Sequence, residues 1–206
     1  VSSEIYWNLS PAASRTPDAS GYYHITLAVN GQTKTFKTTS ADLIKKIDNE
    51  ESRCVGLKLS GDEILNVYPG TNVDGYTGGM TDVWCDVAAI NGTTYTLRNN
   101  ILSHDNCGDE YKVEIPTDCP VYHGATGQPT TLKVDDRVIC LKNDSGKAAY
   151  VVVVKRPSET ARTAYCQACE KDATWYVWDG CTELADGKHY YLAENTAQLA
   201  TGVINA

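Results

Sequence analysis

The sequence predicts an all-β fold: two tandem small β-barrel or β-sandwich modules and a short Trp/Cys-rich C-terminal appendix. Three observations carry this. The stretch Leu27–Thr39 (LAVNGQTKTFKTT) places two β-type runs around Asn30-Gly31, and Asn-Gly is the strongest short-range hairpin signal because a type I′ turn needs positive φ at both central residues. The same unit returns 61 positions later as Ala88–Asn100 (AAINGTTYTLRNN). A second hairpin also echoes, Leu57-Lys58 with Ser60-Gly61 against Leu141-Lys142 with Ser145-Gly146. The repeat is therefore hairpin, connection, hairpin. The second copy holds an insertion of about twenty residues between its halves.

The elements follow in order. Glu4–Leu9 (EIYWNL) reads as a first strand, and Ser10–Ser20, with Pro11 and Pro17, as a turn-rich connection. Gly21–Val29 and Gln32–Thr38 form the first hairpin, the latter strand alternating with the period of one wet face. Ser40 to Asp48 is the one convincing helix: Ser40 caps, Asp42 suits the positive N-terminal end, and Leu43, Ile44 and Ile47 share a face. It is expected to cover an open end of the first module. Arg53–Leu59 and Glu63–Tyr68 are strands around a Ser-Gly-Asp turn, and the Gly-rich run Pro69–Gly79 is the module boundary or a long loop. In the second module Asp82–Ile90, Thr93–Arg98, Tyr111–Ile115, Pro120–His123, Arg137–Leu141 and Lys147–Lys155 read as strands. From Arg156 the chain changes character. The expected domains are residues 1–68, 69–156 and 157–206, the last too short to bury a large core by itself.

The 206 residues carry a formal net charge of −8 and no Lys/Arg run of five, so nucleic acid and anionic membrane surfaces are poor partners. No apolar run approaches the length of a membrane span. One Met and one Phe stand against thirteen Tyr, a strand composition of surface-exposed β proteins. The first residue is Val, as in a chain that has lost a signal peptide or a piece cut from a longer one. Eight cysteines (Cys54, Cys85, Cys107, Cys119, Cys140, Cys166, Cys169 and Cys181) are scattered through this β-rich chain. An even count favours disulfides in an oxidising compartment, hence a secreted or cell-surface protein. Sequence does not pair them.

Few motifs carry chemistry. Cys166-x-x-Cys169 with Cys181 and His189 has the ligand types of a Cys₃His zinc site; the alternative is a disulfide stapling the appendix, with no cofactor. Neither HExxH, GxSxG nor a Walker A run occurs. His104 near Cys107, the pair Asp135-Asp136, and Asp82 with Asp86 are candidate catalytic groups by residue type. A polar loop and solvated strand ends account for them more simply, and no enzyme is expected. Trp175, Trp178 and Tyr190 form an aromatic set with the character of a sugar-stacking platform or of the appendix's own core. Asn8, Asn91 and Asn143 match the N-glycosylation pattern.

The appendix, with Cys166-x-x-Cys169, Ala173-Thr174-Trp175, Trp178-Asp179-Gly180, Leu184 and the run from Gly187 to Leu192 (GKHYYL), resembles a segment of large secreted surface proteins of anaerobic gut Firmicutes. Lys133–Val138 followed by Asn143–Gly146 is similar to the β-rich repeats of the same proteins. Cys181 and the high cysteine count depart from that pattern. The resemblance implies a structural or adhesive module of a cell-surface assembly and carries over no catalytic residue. Its partners would be other copies of the chain or neighbouring domains of a longer surface protein. One form is a self-assembling filament in which Glu4–Leu9 or His189–Ile204 adds as a strand to the next subunit's sheet. The alternative is a carbohydrate-binding module that recognises glycans through Trp175 and Trp178.

Overall fold

In the computed structural model, residues 3–13, 15–83, 85–99 and 108–156 are described in full, together with the backbone of strands 161–166, 171–176, 182–183 and 190–191. The fold is all-β with one helix. Two compact units divide the chain: Val1–Val83 with Glu114–Leu132 and Ile139–Val153, and Trp84–Val113 with Lys133–Val138 and Val154–Ala206.

The first unit is built on a closed barrel. Strands β1 (Tyr6–Asn8), β2 (Tyr23–Val29), β3 (Gln32–Thr38), β4 (Cys54–Ser60) and β5 (Glu63–Pro69) close in the order β1-β2-β3-β5-β4. The predicted turn is present: Val29 pairs with Gln32, and Asn30 and Gly31 have φ of 51° and 76°, the two positive values a type I′ turn requires. β4 and β5 join at Ser60↔Glu63 with Gly61 at positive φ. The seam between β3 and β5 is a single parallel pair, Lys37↔Glu63, supported by Lys37 N–H donating to Asp62 O at 2.9 Å.

The period of two sends alternate side chains inward. Tyr6, Ile25, Leu27, Val29, Phe36, Val55, Leu57, Ile64 and Val67 fill the core, with Ile44 and Ile47 from helix α1 (Ala41–Asp48). Tyr6 meets Phe36 edge to face at 5.4 Å between centroids. α1 starts where expected, since Ser40 Oγ accepts from Leu43 N–H at 3.3 Å, satisfying one of the donors a helix start leaves free. The first unit also holds β9 (Val121–His123), beside and parallel to β11 (Ala148–Lys155), and most of β10 (Arg137–Lys142).

In the second unit β6 (Cys85–Asn91) pairs with β7 (Thr94–Asn99), β7 neighbours β8 (Glu110–Glu114), and Arg137 and Val138 of β10 pair with Asp86 and Cys85. The echoed hairpin is formed with a different register. Asn91 pairs with Thr94, so the turn moves forward one residue onto Gly92, and after a bulge between Val87 and Ala89 the pairing is still one residue off, with Leu97 opposite Val87 where Phe36 is opposite Ile25. Moving the turn by one residue shifts the pairing by two and keeps the faces, so Ile90 pairs with Tyr95, whereas the bulge exchanges the faces of β6 on the side away from the turn, where Val87 pairs with Leu97. Leu97 and Asn99 are buried like Phe36 and Thr38, whereas Ile90 is 37% exposed where its counterpart Val29 is 2% exposed. The chain ends in two described antiparallel pairs, β12 (Ala161–Cys166) with β13 (Lys171–Tyr176) and β14 (Thr182–Glu183) with β15 (Tyr190–Tyr191).

The helix seal is testable. Ile47→Ala is expected to destabilise the first unit by about 2–5 kcal/mol, and Ser40→Ala by about 1 kcal/mol, in urea melts followed by Trp fluorescence. Equal, small effects from both would show that α1 does not close the core.

Candidate functional site

The residues singled out by the sequence fall mostly beyond the described side chains. Trp178, Cys169, Cys181 and His189 lie outside the described residues, as do His104 and Cys107. Trp175 stands on β13 opposite Arg162, Cys166 on β12 opposite Lys171, and Tyr190 on β15 opposite Glu183, placed by backbone register alone. Of the candidate zinc ligands only Cys166, and of the aromatic set only Trp175 and Tyr190, stand on described strands, without described side-chain geometry. Among the described residues no group of three or more His, Cys, Asp and Glu side chains gathers as a metal site. No helix among them is long and apolar enough to cross a membrane.

The described cysteines form no disulfide with one another. Cys54 and Cys119 are thiols, at odds with the expectation of eight bridged cysteines. Cys54 begins β4, fully buried, where loss of solvation pushes its thiol far up from the ordinary value. Burial, reinforced by Asp118, pushes Cys119 up to about 12. Neither is a nucleophile near neutrality, because the thiolate is the reactive form. In the second unit Cys85 Sγ lies 3.0 Å from Tyr111 Oη.

Two of the four carboxylates suggested for catalysis, Asp86 and Asp136, are buried in ion pairs within the fold. Asp86 is 1% exposed and accepts from Arg137 Nε at 2.8 Å and Nη2 at 3.3 Å, the bidentate geometry that lets a buried ion pair offset its desolvation. Asp136, equally buried, accepts from Lys133 N–H at 2.8 Å and Arg156 Nε at 3.1 Å. Desolvation raises its pKa, while the Lys133 amide and the Arg156 guanidinium oppose the rise. His24 accompanies Asp18 at 2.8 Å on the exposed surface, where this contact lowers the Asp18 pKa.

Two clefts flank α1. One, of about 370 Å³, is lined by Ala13, Arg15, Tyr23, Ala41, Ile44, Lys45 and Asp48; the other, of about 200 Å³, by Lys46, Glu50, Val67, Tyr68 and Pro69. The first is bridged by an ion pair between Arg15 and Asp48.

The most elaborate constellation in the first unit surrounds β1, and the residue-by-residue search for chemistry missed it. Trp7, 1% exposed, donates from Nε1 to Gly124 O at 2.7 Å and lies under the Arg53 guanidinium, 4.5 Å from its ring centroid. Arg53 donates from Nε and Nη2 to Asn8 O at 3.0 and 2.7 Å, and from Nη2 to Leu9 O at 3.0 Å. Asn8 Nδ2 donates to Ile47 O and Asp48 Oδ1 at the end of α1. Asn8 is fully buried, so its N-glycosylation pattern is closed in the folded protein, whereas Asn91 is exposed. The available signal was Asn8 itself, a strand-averse residue after two aromatics. No protein-family model, curated protein or solved structure matches the chain.

The raised folded pKa of Asp136 fixes a sign. Its contribution to stability is fully present below the unfolded value near 3.8 and is lost as pH rises through the higher folded value. Wild type should therefore lose stability relative to Asp136→Asn between pH 3 and 6 in parallel denaturant melts; a gain over that range would reverse the assignment. Arg137→Ala, which removes the bidentate guanidinium partner of the buried Asp86 carboxylate, is expected to destabilise by about 3–5 kcal/mol in the same melts.

Proposed function

We propose that the chain is a non-enzymatic structural or adhesive module of an extracellular, cell-surface assembly. The closed barrel carries this reading. Each of its five strands has a neighbour on both sides, so the barrel itself offers no raw sheet edge, the feature that makes β proteins aggregate when crowded. A unit held at high local density on a surface needs that property. The duplicated hairpin supports a chain assembled from repeated β units, and the resemblance to bacterial surface proteins points the same way. The partners are other copies of the chain or neighbouring domains. In its sharper form the module is a filament subunit, joined by addition of Glu4–Leu9 or His189–Ile204 to its neighbour.

A carbohydrate-binding module is the second reading. Its support is that Trp175 and Tyr190 both stand on formed strands. The structural reading expects concentration-dependent oligomers or filaments of the full chain in sedimentation and electron microscopy, and a blank glycan array. A chain that stays monomeric and binds a glycan, with binding abolished by Trp175→Ala and Trp178→Ala, overturns it.

The extracellular assignment rests on the cysteines. With Cys54 and Cys119 as thiols, six of the eight cysteines remain for disulfides. Reduction of the native protein is expected to raise its intact mass by hydrogens in pairs, up to six. No gain at all would remove the argument for an oxidising compartment.

A further inference from the structure

Addition of β1 to an open edge of the first unit's barrel is not available, because that barrel is closed and β1 already occupies a place in it. We infer that assembly at this barrel proceeds by exchange: β1 leaves the slot between β2 and β4 of its own chain and fills the same slot in a second copy. This rests on the assembly reading above and specifies its partner and its acceptor site.

The slot is complete without β1's own chain. Apart from its own neighbours Glu4, which accepts from Tyr6 Oη, and Ser10, whose N–H donates to Asn8 Oδ1, both of which travel with the strand, the groups named here that hold β1 belong to residues after the connection that follows it. Trp7 and Asn8 pair with Ala28 and Leu27 of β2, and Tyr6 and Trp7 with Val55 and Cys54 of β4. Asn8 N–H donates to Arg53 O at 2.9 Å. The Arg53, Ile47, Asp48 and Gly124 contacts complete the set. A second copy's β1 would meet the same partners at the same geometry, so the closed and exchanged forms differ mainly in the connection and in the entropy of association.

The strand is short and its burial deep. Three residues form the ladder, yet Ile5, Tyr6, Trp7 and Asn8 are all at most 4% exposed. Much of the unit's apolar burial therefore hangs on a few backbone pairs. An empty slot would expose the Tyr6 site beside Phe36 and the Trp7 site beneath Arg53, which gives a matching strand a strong drive to fill it.

The connection allows the move. Residues 9–22 link β1 to β2, far more than an antiparallel hairpin needs. Its two ends are pinned separately: Arg53 grips the carbonyls of Asn8 and Leu9, whereas Arg15 pairs with Asp48 and donates to Ser10 O at 3.0 Å. Between them sit Pro11 and Ala12, and Ala12 is held at φ 57°, a left-handed conformation unfavourable for a residue with a Cβ. Straightening the segment around Ala12 releases that strain. Once extended, each residue spans roughly 3.3–3.6 Å, which carries β1 away from its own slot while Arg15 stays on its own helix.

Deleting residues 1–9 would not test this, since it also removes core side chains. The test uses the full chain. Uniformly ¹⁵N-labelled and unlabelled protein, each with a photoreactive benzophenone side chain in place of Tyr6, are incubated together at high concentration in native buffer. They are then irradiated, and the links to the Phe36 strand are read by mass spectrometry. Exchange predicts heavy–light links rising towards half of all links, with the mixed links in the multimer fraction. Only heavy–heavy and light–light links overturn it. If multimers form in that case, the assembly reading survives and its route is different; if none form, the assembly reading falls as well. Placing the benzophenone at Phe36 and reading links to the β1 peptide repeats the test should the first variant fail to fold.

Discussion

The barrel of the first unit depends on one insertion, that of β1 between β2 and β4. Consecutive strands can find each other through a short turn, as β2 with β3 and β4 with β5 do. β1 instead bridges two hairpins distant in sequence, and without it the sheet is open. Both of its faces are used. Tyr6 goes to the barrel interior, and Trp7 goes outward beneath Arg53 and the Gly124 carbonyl. Gly127 shows how close that outer cover lies: a Cβ there would stand 2.3 Å from Ala28 Cβ on β2, and its φ is 69°, so a residue without a side chain is required on both counts.

Buried polar groups fix the places where apolar packing alone would leave a choice. Asn8 ties the end of β1 to the last turn of α1, and Asp86 with Arg137 ties β6 to the start of β10. An apolar strand can slide along its neighbour and still bury its side chains. A buried donor or acceptor cannot slide without losing its partner, and the penalty for an unmet buried charge is several-fold larger than the net gain from an ordinary hydrogen bond. These pairs specify register, which explains why residues with the look of catalytic carboxylates are instead committed within the fold.

The strands as far as Lys155, their order along the chain and the helix with its Ser40 cap were legible in the sequence because each is written in local chemistry: alternation, Asn-Gly and Ser-Gly turns, a polar cap before an apolar stripe. The echo of Leu27–Thr39 in Ala88–Asn100 was legible as well. Its consequences were not. Identical turn residues produced two registers, since the burial of Val29 in the barrel and the exposure of Ile90 follow from what each strand packs against. The candidate site was legible least. The aromatic and CxxC signals lay in residues 157–206, whereas among the described residues of the first unit a dense set of specific interactions surrounds Trp7, Asn8 and Arg53, three residues with no motif in common.

By itself, then, the sequence determined an acidic, all-β chain with tight turns at known positions and one capped helix, because turns and caps are settled by a residue and its immediate neighbours. Only the tertiary structure decided that β1 closes a barrel, that residues 114–132 and 139–153 join the first 83 in one compact unit, and that Asp86 and Asp136 are structural ions. Those outcomes turn on pairings across dozens of residues, where the gain comes from fitting surfaces that do not exist until the chain has folded.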